Sequence, residues 1–198
     1  MGEIRDAART RAKILKAARD EFAARGFGGA RVGVIAEAAG VTRQLLYHYF
    51  PSKDVLFEEV LVQKFSHHAP PPPDGGGPGL PFRQRFRGAA SDPVGVRFMT
   101  WEAAELGPTG RIAAEPARRE AAERQRAMIA DAQAKDELPP DLRPDLLQLA
   151  VSALGVYPLA FPQVTRMLTG KDPQDPEFQS EWLAFLDALA ARLAGSRG

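Results

Sequence analysis

The sequence predicts an all-α protein, and three observations carry that expectation. Apolar residues recur at helical spacing along most of the chain, as at Ile14, Ala18 and Phe22. No stretch shows sustained two-residue alternation of β-branched residues, the pattern of a half-buried strand. Stop and start signals such as Gly26, Gly40 and Ser52 punctuate the periodic stretches.

Taken in order, the first helix is expected over residues 8–25, with Gly26 as its stop. A second covers residues 32–39 and a third residues 42–49. A fourth starts at Ser52, whose hydroxyl can cap it, with Asp54 placed at its positive end; it runs toward His67. Residues 70–81, PPPPDGGGPGLP, are Pro or Gly at 10 of 12 positions. Proline lacks the N–H that a helix or central strand needs, and glycine is entropically costly to order. Residues 69–81 therefore read as a linker or mobile loop between a domain at 1–68 and a second at 82–198. Beyond it, helices are expected over residues 94–106, 116–135, 141–159 and 177–194. Pro158 and Pro162 should kink or end the third of these.

Composition bounds the function. With 198 residues, a real core is affordable in one ordinary domain or two small ones. Zero cysteine excludes disulfides, thiol chemistry and cysteine-based metal sites, and is compatible with a cytoplasmic location. No run of 18 apolar residues is present, so no membrane crossing is expected. The adjacent His67 and His68 point to different helix faces, and no metal site or cofactor is expected. No convergent acid, base and nucleophile appears, so no enzyme is expected. Residues 1–68 carry 11 Lys or Arg against 8 Asp or Glu, with Arg5, Arg9, Arg11, Lys13 and Lys16 crowded at the start. Such a cluster suits either phosphate contact or a solvated helix face.

Residues 31–50 hold the chemistry. Two short helices joined at a glycine form a rigid pair whose second member can enter a DNA major groove. Small Ala36 permits a close crossing, and Gly40 suits a positive φ. Ile35, Ala39, Val41 and Leu46 should point inward. Thr42 can cap the second helix and meet a phosphate. Arg43, Gln44, Leu45, Tyr47, His48 and Tyr49 are left for the outer face. Arg43 can bond guanine O6 and N7, Gln44 adenine N6 and N7, and Leu45 can touch a thymine methyl. Tyr47 and Lys53 suit phosphates. Tyr49 can serve a phosphate or the core, and Phe50 is expected in the core.

These residues carry a resemblance. ILKAARDEFAARGF followed by VIAEAAGVTRQLLYHYFPSKDVLF resembles the N-terminal domain of the TetR family of bacterial transcriptional regulators over residues 10–62. The resemblance implies a three-helix DNA-binding domain, a connecting fourth helix, and a helical domain that binds an effector and dimerises. It implies base contacts from Arg43, Gln44 and Leu45, and backbone contacts from Thr42, Tyr47, Tyr49 and Lys53. Arg31 departs from the family pattern, standing where Thr or Ser is usual, so a common cap is missing; Arg31 can instead reach a phosphate itself. Gln44 and Leu45 also depart, which should change the preferred operator.

The last third resembles the family's dimerisation region loosely. A doubly apolar helix with Leu147, Val151 and Leu154, plus a striped one with Trp182, Phe185, Leu186 and Leu189, fits a four-helix bundle across a two-fold axis. An effector would need apolar walls with a few polar anchors, for which Phe98, Met99, Trp101, Glu102, Met128 and Tyr157 are the candidates beside a plain core role. The expected protein is thus a homodimeric repressor that binds a double-stranded palindromic operator and leaves it when a small molecule binds. A regulator without a ligand, or a helical ligand-binding protein, are the alternatives.

Overall fold

Ten α-helices and no strand make up the described residues of the computed structural model, which are 2–66, 76–106, 112 and 114–195. In order they are α1 (Gly2–Gly29), α2 (Val32–Ala39), α3 (Arg43–Tyr49), α4 (Lys53–Ser66), α5 (Leu80–Ala90), α6 (Pro93–Leu106), α7 (Glu115–Ala134), α8 (Pro144–Ala160), α9 (Pro162–Thr169) and α10 (Pro176–Gly195). No single described helix is long and apolar enough to cross a membrane. The chain divides into two units, Met1–His68 with Arg97–Arg118, and Ala69–Val96 with Arg119–Gly198. The first unit thus takes a segment that the sequence assigns to the second domain. The first half of the proline-glycine run, and His67 with His68, lie outside the described residues.

In the first unit α1 packs against α2 and α4. Ile14, Ala18 and Phe22 of α1 are buried with Ile35 of α2, Leu46 of α3 and Leu56 of α4. A ring cluster explains why part of α6 belongs here: Phe57 lies 5.0 Å from Phe22 and 5.7 Å from Phe98, centroid to centroid. Aromatic pairs in such tilted arrangements add to the stabilisation from burial itself. Gly26 does break α1, with φ of 69°, but a further turn follows and reaches Gly29.

The second unit is built around α5, a helix the sequence reading missed. Its first turn holds Leu80 and Pro81, inside the stretch read as linker; proline is tolerated there because a first-turn N–H has no helical acceptor. Phe82, Phe86 and Ala89 are buried, and α5 packs on α8 and α10. At the α5–α8 crossing, a Cβ on Gly155 would stand 2.9 Å from Arg85 Cβ and 3.1 Å from its carbonyl carbon. Glycine is what lets the two backbones approach, and burial there pushes the Arg85 guanidinium below its ordinary pKa. Gln148, buried on α8, ties to α7: it donates to the Ala122 carbonyl at 2.7 Å and accepts from Arg126 Nε at 3.3 Å.

Two prolines shape the end of α8. Pro158 lies inside the helix and Pro162 opens α9, which departs at 88°. Each lacks the N–H that would reach the carbonyl four residues earlier, at Leu154 and Pro158 respectively. Both carbonyls find side-chain donors instead. The Trp182 indole N–H donates to Leu154 O at 3.3 Å, and the buried Thr165 hydroxyl donates to Pro158 O at 2.9 Å. A buried carbonyl without a donor costs about 1–3 kcal/mol, so these partners are what make the prolines tolerable.

Candidate nucleic-acid interface

The α2–α3 pair is held by backbone bonds around one glycine. Gly40 adopts φ 68°, ψ 34°; its N–H donates to Glu37 O at 3.0 Å, and Val41 N–H donates to Ala36 O at 2.9 Å. These are the paired bonds of a Schellman turn, which use carbonyls the helix end would leave orphaned. Thr42 then caps α3, its Oγ1 accepting from Leu45 N–H at 3.1 Å. Ser52 caps α4 likewise, accepting from Val55 N–H at 3.2 Å.

This framework sorts the side chains of α3. Leu46 and Phe50 are buried, and the Arg11 guanidinium lies 5.2 Å from the Phe50 ring centre while pairing with Glu59. Arg43, Gln44, Leu45, Tyr47 and His48 are exposed, and Tyr49 is half-buried beside the His48 ring. Arg43 has no hydrogen-bond or ion-pair partner among the described residues. Leu45 and Tyr47 are large apolar-bodied groups left 38% and 46% exposed.

Arg31 and Lys53 are placed differently. Arg31 precedes α2 with no side-chain cap, as its sequence position implied. The α2 start is held from α1 instead: Glu21 Oε1 accepts the Arg31 N–H at 3.2 Å, a carboxylate at the positive helix end. Spacing gave no sign of that tertiary cap. Lys53 Nζ donates to Gly28 O at 3.3 Å and sits 4.7 Å from the Phe27 ring centre, so it also pins α4 to the end of α1. Much of the basic start is balanced by neighbours: Arg9 pairs with Asp6 and Lys16 with Asp20.

The six residues expected around an effector are divided between the units. Phe98, Met99, Trp101 and Glu102 fall in the first, and Met128 and Tyr157 in the second. Phe98 is fully within the ring cluster and serves the core there. The Glu102 carboxylate pairs with Arg118. Met99 is half-buried and Trp101 is 39% exposed. In the second unit, Met128 lines a cavity of about 160 Å³ with Leu80, Pro81, Asp131 and Lys135. Tyr157 is half exposed and packs on Phe161 at 4.9 Å.

The residues expected at a dimer face also separate. Leu147 and Val151 of α8 and Leu186 of α10 are buried inside their own unit, whose core α5 shares with these two helices. Leu154 and Trp182 are bonded to each other, and Leu189 is half-buried. Phe185 remains outward. On α8 the outward stripe is Leu146, Leu149, Ala150, Ala153 and Tyr157, so this helix is apolar on both sides but buried on one.

Comparison with known proteins agrees with this geometry. Residues 14–60 match the model described as bacterial regulatory proteins of the tetR family, and residues 83–187 match one described as a Tetracyclin repressor-like C-terminal domain. The chain is 35% identical over 171 residues to the HTH-type transcriptional repressor SCO4008 of Streptomyces coelicolor, covering 84% of this chain and 86% of that one. Its fold is similar to that of the transcriptional regulator SCO4942 from Streptomyces coelicolor, at a TM-score of 0.65 and 24% identity over 91% of this chain and 97% of the other. FadR of Bacillus subtilis, solved in complex with stearoyl-CoA, also shares the fold at a TM-score of 0.65 and 16% identity, over 89% and 97% of the two chains.

Proposed function

We propose that this chain, which belongs to the TetR family of bacterial regulatory proteins, represses transcription as a homodimer that releases its operator when a small molecule binds. That it is a helix-turn-helix DNA-binding regulator follows from the family; dimer, operator contacts and effector are the further reading. The observation that carries it is α3 itself, a capped seven-residue helix anchored by Leu46 and presenting Arg43, Gln44, Leu45, Tyr47 and His48 outward.

In this reading Arg43, Gln44 and Leu45 meet base edges, with His48 beside them. Thr42, Tyr47, Tyr49, Lys53 and Arg31 hold the phosphates. The bonds already made leave room for this. Thr42 Oγ1 accepts from Leu45 N–H, so its own proton is still available to a phosphate oxygen. Lys53 has three donors, and Gly28 O takes one.

A single short helix reads too few bases for high affinity, and two related by a two-fold axis read half-sites about 34 Å apart. The outward stripe of α8, with Phe185 of α10, is the face proposed to meet a second copy, since an apolar surface of that kind is rarely left to water. The helical neighbour solved with stearoyl-CoA supports a second domain able to hold a small molecule. Effector binding would shift the helix spacing, a coupling of order 1–3 kcal/mol.

Selection of duplexes from a randomised library by the full chain, followed by titration across salt concentrations, tests the reading. A palindromic consensus and a steep loss of affinity with salt are expected. Binding without base preference, or a chain that stays monomeric on the selected DNA, overturns it.

A further inference from the structure

Helix α2 carries a glycine that its backbone does not require. Gly33 is the second residue of an eight-residue helix and has no positive φ. Glycine within a helix is less stable than alanine, because it surrenders more chain entropy and packs nothing. What this position does require is lateral space. A Cβ on Gly33 would stand 2.8 Å from both Cζ and Nε of Arg43, and closer still to Nη2. Real Cβ atoms do not tolerate such distances, so the guanidinium occupies the room that any other residue would fill.

We propose that Gly33 is a positioning residue for operator reading: its bare Cα seats the Arg43 guanidinium against α2 and thereby sets how Arg43 enters the groove. The inference rests on Arg43 being a base-contacting residue. Arg43 is exposed and has no hydrogen-bond or ion-pair partner among the described residues, so this seat is its restraint. A restrained side chain loses less rotamer freedom on binding and approaches from one direction, which favours a single bidentate partner base. The obstructing atoms belong to the far end of a flexible side chain rather than to backbone. A methyl group at position 33 would therefore be relieved by swinging Arg43 away, with the α2–α3 framework intact. Gly33 thus acts on base choice through Arg43 and not through the fold.

The test is a double-mutant cycle in the full chain, read by selection from a randomised duplex library and by affinity for the selected site. Arg43→Ala is expected to lose roughly ten- to a hundredfold discrimination at one position of each half-site. Gly33→Ala should weaken preference at that same position, by about tenfold, with helicity and Tm no lower than the parent's. Adding Gly33→Ala to Arg43→Ala should change almost nothing further, because the seat has no occupant. If Gly33→Ala lowers Tm, the double variant should recover it, and a double variant equally unstable overturns the inference. Unchanged preference in Gly33→Ala beside a clear loss in Arg43→Ala also overturns it while leaving the function standing. No loss of preference in Arg43→Ala removes the base-contact reading itself.

Discussion

The break between α2 and α3 and the break between α8 and α9 solve one geometric problem with opposite residues. At the first, Gly40 enters the left-handed region and two backbone N–H groups bond the orphaned carbonyls. Everything needed lies within six consecutive residues. At the second, Pro158 and Pro162 remove donors, and the carbonyls of Leu154 and Pro158 depend on Trp182 and Thr165. Trp182 is 28 residues away from its acceptor. The glycine break is self-contained; the proline break takes one donor from α9 itself and borrows the other from α10. The recognition pair is thus rigid by local means, whereas the bend in the second unit holds only once its helices have assembled.

The largest effect that probes this contrast is expected at Trp182. Trp182→Phe keeps most of the ring and removes the donor, so Leu154 O is left unpaired at a cost of about 1–3 kcal/mol in thermal or denaturant unfolding. In a Pro158→Ala background residue 158 regains its N–H, and the penalty of Trp182→Phe should shrink markedly. An undiminished penalty would mean that the indole acts through packing alone, and the contrast would weaken. Next is Gly40→Ala, expected to cost about 1–2 kcal/mol from the left-handed φ alone, since nothing lies within 4 Å of an added Cβ. No second substitution elsewhere should restore it, because no distant partner is involved. A rescue by a change in another helix would contradict a self-contained turn.

The smallest effect concerns the end of α9. Asp172 is held below the usual carboxylate range, first by the Gln174 backbone N–H and then by Arg166. A depressed folded pKa contributes stability above the ordinary carboxylate value and loses it as pH falls through the folded one. The fall in Tm between about pH 4 and pH 2 should therefore be slightly shallower for Asp172→Asn than for the parent. Identical slopes would show that the local bonds do not matter to folding.

The same division explains which parts of the molecule were legible in advance. The span of α2, the Thr42 and Ser52 caps and the inward set Ile35, Ala36 and Leu46 are all visible as local pattern. Helix α5 was equally present in the spacing of Phe82, Phe86 and Ala89, but the adjoining run of proline and glycine obscured its start. Pro81 stops no helix when it stands in the first turn. The dimer candidates differ in burial for another reason. Leu147 and Leu149 are both leucines on one helix, and only the arrival of α5 decides that Leu147 is covered while Leu149 faces out.

By itself, then, the chain's order of residues determined the helical class, the glycine turn and the polar face of α3, because each follows from interactions between near neighbours. Tertiary structure alone decided that Glu21 holds the start of α2, that Trp182 repairs Pro158, that Phe98 joins the first core, and that Gly33 is vacant for Arg43. Those contacts join residues whose spacing along the chain carries no period, so no local pattern encodes them. They exist because burial brings the helices together, after which every orphaned group and every gap has to be met by whatever side chain lies nearest.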